Sequence, residues 1–298
     1  MKVILERRQP EMKVQKNKFF VRSKDSYPLA VHSFLSNDPK VKDPLILFPA
    51  MGVPGKFYVK VALQLAQAGF GIYVADMRGS GDNRPIPSRK NDFGYSDLIY
   101  KDWPAIVQTV SKLHPETKPI LIGHSLGGQL SSIYSGLHPN ETKGLILVAT
   151  GTPFFRHFPF PYFALYLFFY FFSRFISFIV GHFPGDRLKV MGRNARQVMK
   201  DWSRVGITGS FRDSEGVNLE HAFGKIVCPV LCISFSDDTY APKNPVDAVL
   251  GRIGSSDITR LHVDPIREGI GPIGHLGWLK NSDMVSEKIG SWILEKIK

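Results

Sequence analysis

The chain has 298 residues, of which 43% are hydrophobic and 21% charged; it is too apolar for a disordered protein and too charged for a multispan membrane protein. That length suits one large α/β domain or two ordinary ones. The net charge of +12 implies a solvated basic surface or attraction to anionic lipid headgroups. No nucleic-acid-binding motif accompanies the basic clusters at positions 1–18 and 183–204, so nucleic acid is not an expected partner.

The N-terminal "MKVILERRQPEM" has three apolar residues between Lys2 and Glu6, far short of the apolar stretch of a signal peptide. "KFFVRS" and "PLAVHSFLS" read as an opening antiparallel pair of strands. Nearly unbroken apolar runs follow at 44–50, 71–77, 119–125, 144–150, 228–236 and 258–264, the pattern of parallel strands covered on both faces. Helical patterns at 56–68, 97–113, 127–137, 244–252 and 283–297 alternate with them. The alternation implies an α/β fold with a mostly parallel, doubly wound sheet. Residues 151–224 break the rhythm: they hold no convincing strand and carry an aromatic run, so they read as a helical cap inserted into a core made of 1–150 and 225–298. Cys228 and Cys232 stand four apart on a predicted strand, about 13 Å from each other, too far for a disulfide. Two reduced, buried thiols agree with a cytoplasmic protein.

"ILIGHSLGGQLSSIY" carries the chemistry. Gly123-His124-Ser125-Leu126-Gly127 is a G-x-S-x-G pattern directly after an apolar strand and directly before a helix. A nucleophilic serine on so sharp a turn takes a strained backbone, and glycines two residues to either side allow close approach. The helix behind it favours developing negative charge. Such a serine needs a base, and the base an orienting carboxylate, in the chain order Ser, acid, His. "DDTYAP" after the 228–236 strand offers Asp237 and Asp238. Three histidines lie beyond the insertion's strand-free stretch or at its end. Of these, His221 ends the insertion and His262 falls within a strand, where it is expected to be packed; His275, in the loop "GPIGHLGWL" after the last strand, is placed for the task.

In these motifs the sequence resembles the α/β-hydrolase superfamily, close to the serine aminopeptidase-like and monoglyceride-lipase-like branch. The resemblance covers most of the chain and rests on "FPAMGVPGKFY", "DMRGSGDNRP", the GHSLGG turn, "DDTYAP" and "GHLGWL" in that order. It implies a Ser125–Asp238–His275 triad, because the acid of the superfamily commonly stands four residues before a proline, and Pro242 follows Asp238 at that distance. It also implies an oxyanion hole built from the backbone N–H groups of Leu126 and Met51, with Pro49-Ala50 replacing the His-Gly common in relatives. Asp76 and Arg78 match a buttressing loop. The implied activity is esterase- or lipase-like cleavage of a carboxylic ester with an apolar acyl group, with no metal or organic cofactor. Acyl transfer and amide or peptide cleavage use the same residues, and a catalytically inactive binding protein can share the fold.

The run "PYFALYLFFYFFSRFISFIV" at 161–180 contains seven Phe and one charge, Arg174. As a helix it would be roughly 30 Å long, enough to cross a bilayer. A span there would put Ser125 on one side of the membrane and Asp238 with His275 on the other, so the triad could not assemble. Tyr162, Tyr166, Tyr170, Arg174 and Ser177 recur every three or four residues and form a polar-tipped edge. The expectation is a lid whose Phe168, Phe169 and Phe172 line an acyl pocket for an ester or lipid substrate, with a further peripheral contact to an anionic membrane.

Overall fold

The computed structural model describes residues 13–297, so the reading of the first twelve residues lies outside the described part. The chain opens with β1 (Val14–Arg22) and β2 (Pro28–Ser36), then alternates through β3 (Val41–Phe48), α1 (Val59–Gln67), β4 (Phe70–Ala75), α2 (Trp103–Leu113), β5 (Ile120–His124), α3 (Leu126–Leu137) and β6 (Gly144–Val148). It leaves the sheet for α4 (Tyr162–Val180), β7 (His182–Pro184), β8 (Gly192–Ala195) and α5 (Arg196–Thr208). It returns as β9 (Val230–Phe235), α6 (Lys243–Leu250), β10 (Ile258–Val263) and α7 (Asp283–Lys296).

Eight strands form one sheet in the order β1-β2-β4-β3-β5-β6-β9-β10. Only β2 runs against its neighbours; the other pairings are parallel. Every residue of β5, β6 and β9 is buried, as a strand covered on both faces requires, and this explains their unbroken apolar sequences. The edge strands β1 and β10 are mostly accessible along their length. His262 is therefore exposed on β10 rather than packed as the sequence suggested, with its Nδ1 2.7 Å from Ser234 Oγ. Cys228 and Cys232 are buried free thiols, and burial pushes that of Cys232 up to about 12, so it is inert at neutral pH.

β6 and β9 are hydrogen-bonded neighbours, so the whole excursion of residues 149–229 starts and ends at one place in the sheet. It does contain strand, contrary to the sequence reading. β7 and β8 pair only with each other, as three- and four-residue strands joined through left-handed backbone at Lys189, Met191 and Gly192. Strands that short leave no period-2 signal to read.

Candidate functional site

Ser125 joins β5 to α3 with φ 53° and ψ −117°, a conformation in which a non-glycine residue is strained. The turn is tight because its flanks touch. A Cβ on Gly123 would lie 2.3 Å from the Cα of Gly128, and one on Gly127 would lie 2.3 Å from the Phe48 carbonyl oxygen at the end of β3. The two glycines of the motif thus bring the serine turn against the loop that follows β3, where Met51 sits.

The loop after β9 gives its two carboxylates different partners. Asp238 is buried, and its Oδ1 accepts the N–H groups of Tyr240 and Ala241 at 2.8 and 2.9 Å. Its Oδ2 lies 2.8 Å from His275 Nδ1. Asp237 turns the other way and accepts the N–H groups of Ile273 and Gly274 at 2.7 and 2.9 Å, which fixes the loop carrying His275. Neighbouring acids therefore hold one loop, Asp238 by the ring of His275 and Asp237 by the backbone just before it, at Ile273 and Gly274.

Ser125, His275, Met51 and Leu126 all border one cavity of about 610 Å³. Asp238 stands behind His275, out of the cavity. Leu126 is the first residue of α3, so its amide precedes the intrahelical ladder. Among the described residues no acceptor meets the Leu126 or the Met51 amide. The walls are mainly apolar, with Val53, Phe57, Phe158, Met191 and Trp202 among them, and among the described residues only Lys189 and Lys280 bring a lysine or arginine charge to the lining.

A second network was not foreseen from the sequence. Ala50 N–H donates to Tyr58 Oη at 2.8 Å, and Tyr58 Oη lies 2.7 Å from His124 Nδ1. His124 Nε2 is 3.1 Å from the backbone carbonyl oxygen of His275. A carbonyl can only accept, so His124 carries its proton on Nε2 and takes the Tyr58 hydroxyl proton as a hydrogen bond on Nδ1. The approach of Trp278 Nε1–H to the same Nε2, at 3.4 Å, is the weaker of the two. Burial, reinforced by the nearby His275, holds the His124 imidazole well below the ordinary histidine range, hence neutral. This chain ties together the Met51 loop, the Ser125 turn and the His275 loop. The signal lay in the motif itself: the residue before Ser125 ends a fully buried strand, and a histidine there needs partners.

Phe168, Phe169 and Phe172 do not line the cavity. Phe168 points to solvent, while Phe169 packs edge-on against Phe183 and Trp202. Tyr166, from the polar-tipped edge, borders the cavity instead, together with Tyr240. His221 is exposed. Asp76 accepts the Gly55 and Asp82 N–H groups at 2.6 and 2.9 Å, and Arg78 bonds Asp102 and Asp25, so both act as braces for neighbouring loops. Asp76 also forms a cluster with His32 and Asp82, but its two oxygens are occupied by those amides and Asp82 pairs with Lys18 at 2.9 Å.

Sheet order, the serine turn after β5 and the loops after β9 and β10 decide the architecture, and a model of the alpha/beta hydrolase fold family matches residues 43–182. The chain is an α/β-hydrolase-fold protein. It is similar to protein phosphatase methylesterase 1 of Candida albicans, 37% identical over 26% of this chain and 21% of the relative. It is also similar to pimeloyl-[acyl-carrier protein] methyl ester esterase of Chromobacterium violaceum, 29% identical over 40% of this chain and 41% of the relative. The chain thus matches less than half the length of either curated relative. Among solved structures, Est1E of Butyrivibrio proteoclasticus with bound ferulic acid superposes on this α/β-hydrolase-fold protein with a TM-score of 0.62 at 16% identity, over 93% of this chain and 98% of that one.

Proposed function

We propose that this protein hydrolyses carboxylic esters with an apolar acyl group. One observation carries the reading: the strained Ser125 turn and the Asp238-bound His275 open into the same largely apolar cavity. Both curated relatives are named for methyl ester cleavage, which supports an ester as the substrate class. Asp238 takes Nδ1 of His275 and leaves Nε2 for the Ser125 hydroxyl. Ser125 Oγ attacks the ester carbonyl carbon while His275 Nε2 accepts its proton. The carbonyl π pair moves onto oxygen, where the Met51 and Leu126 amides receive it. Collapse breaks the C–O bond, and the departing alkoxide takes the proton from His275. Water, deprotonated by His275, then attacks the acyl-enzyme; the acid leaves and Ser125 recovers its proton. A volume near 610 Å³ falls within the range that encloses a small lipid-like molecule. A fluorophosphonate probe followed by peptide mapping tests the nucleophile, and a chain-length series of p-nitrophenyl esters tests the acyl preference. The expected results are modification of Ser125 alone and turnover rising from acetate to medium-chain esters. Well-folded protein that neither reacts with the probe nor cleaves any ester of the series would overturn the reading.

A further inference from the structure

The aromatic helix α4 is built inside out. Its inward face carries hydroxyls: Tyr170, Ser173 and Ser177 are fully buried. Tyr170 Oη donates to the Pro153 carbonyl, Tyr166 Oη to the Thr239 carbonyl at 3.0 Å, Ser173 Oγ to the Tyr170 carbonyl at 3.1 Å and Ser177 Oγ to the Ser173 carbonyl at 2.6 Å. Its outward face carries Leu165, Phe168, Phe171, Phe175 and Phe178, each 58–70% exposed, with Ile179 beside them. These positions recur every three or four residues and make one stripe about 20 Å long on a single side of the helix. Helices on protein surfaces turn the opposite way, and an apolar stripe of this extent marks a surface that meets something other than water.

The charge of the segment that carries the stripe selects the occupant. Residues 151–200 hold seven Lys or Arg against one acid, Asp186. Arg174 on α4, and Arg187, Lys189 and Lys200 after it, are exposed, and no acid pairs with them among the described residues. A two-fold dimer through this face would set that basic rim against its own copy. An anionic lipid surface instead accepts the apolar stripe below its headgroups and the basic rim among them, with long side chains reaching to the phosphates. The helix is long and apolar enough to span a membrane, Tyr162–Val180. Yet β6 and β9, on either side of the excursion, are paired in one sheet, and Tyr166 and Tyr170 of α4 are bonded to carbonyls elsewhere in the fold. Spanning would tear both apart; lying flat disturbs neither.

We infer that the outward face of α4 docks in the plane of an anionic lipid bilayer, flanked by the basic residues that follow it. The test is co-sedimentation of the intact protein with vesicles of phosphatidylcholine alone and of phosphatidylcholine with phosphatidylglycerol, at low and high salt. Wild type should bind the anionic vesicles, more weakly as salt rises. The triple variant Phe171→Ser, Phe175→Ser and Phe178→Ser should lose roughly tenfold or more in partitioning, with melting temperature and cleavage of a soluble short-chain ester unchanged. Phe171→Trp gives a second readout: its added fluorescence should be quenched by vesicles with brominated acyl chains. No binding to anionic vesicles, undiminished binding by the triple variant, or absence of quenching each overturns the inference. So does an oligomer of the wild type that the triple variant dissolves while vesicles bind neither.

Discussion

The strands β5 and β6 and the helix α4 are all strongly apolar stretches of the chain, and they use that character in opposite ways. The strands bury every side chain between layers of helix. The helix buries Tyr170, Ser173 and Ser177 and presents phenylalanines to the outside. Hydropathy is the same kind of number in both places, yet it reports a core in one and a surface in the other. What separates them is where polar atoms find partners: the strand backbone pairs within the sheet, while the α4 side chains reach carbonyls at Pro153 and Thr239.

If chemistry belongs to the sheet side and α4 only covers it, the largest effect comes from the serine turn. Ser125→Ala should lower ester hydrolysis by about 10⁴–10⁶-fold with an unchanged circular dichroism spectrum and melting temperature. Residual activity within tenfold of wild type would move the nucleophile elsewhere.

The paired acids sharpen the same point. Asp238→Asn should cost about 10⁴-fold in kcat, because it disturbs the bond that orients and stabilises the His275 imidazolium. Asp237→Asn keeps an oxygen for the Ile273 and Gly274 amides but buries a new donor where Oδ1 has no partner. Its expected signature is a stability loss of about 1–3 kcal/mol in urea titration with a far smaller change in kcat. The reverse ranking would exchange the two roles.

Stability measurements can break the comparison directly. Ile146→Ala, in the middle of β6, should cost about 2–5 kcal/mol. Tyr170→Phe, which removes only a hydroxyl bonded to Pro153, should cost about 1 kcal/mol. Phe175→Ala, which deletes a whole ring on the outside of the same helix, should change stability by less than about 0.5 kcal/mol. If the phenylalanine proved more costly than the tyrosine hydroxyl, α4 would not be inverted in solution.

A pH-dependent effect concerns His124. Its pKa falls on folding, so below the unfolded value near 6.5 the unfolded chain takes up a proton that the folded one refuses. Stability is therefore fully present above about pH 6.5 and declines as pH drops, by at most about 1.4 kcal/mol per pH unit from this group. His124→Gln should show a shallower acid decline than wild type in urea titrations at pH 5 and 7. Identical slopes would mean that His124 is charged in the fold.

The sheet and the serine turn were legible because their signals are local. Apolar runs mark covered strands, and Gly123 and Gly127 flank Ser125 within five residues. The inside of the excursion was not legible. The period of Tyr166, Tyr170 and Ser177 revealed two faces of α4 but could not say which faced in, because the carbonyls that hold Tyr166 and Tyr170 lie outside the helix, at Thr239 and Pro153. For the same reason Phe168, Phe169 and Phe172 were expected around the cavity that Tyr166 and Trp202 border. The Tyr58–His124–His275 connection joins segments more than sixty residues apart, beyond the reach of any spacing rule.

The adjacency of β6 and β9 has a consequence for how this molecule can vary. A detour whose two ends meet at neighbouring strands closes a loop, and the entropy of closing a flexible loop grows only with the logarithm of its length, about 0.6 kcal/mol for each doubling. Lengthening, trimming or exchanging what lies between Val148 and Val230 therefore need not disturb the register of the strands on either side. The cavity walls that residues 149–229 supply are therefore the part whose length and sequence can change most freely, while the serine turn and its histidine stay on a frame that does not feel the change.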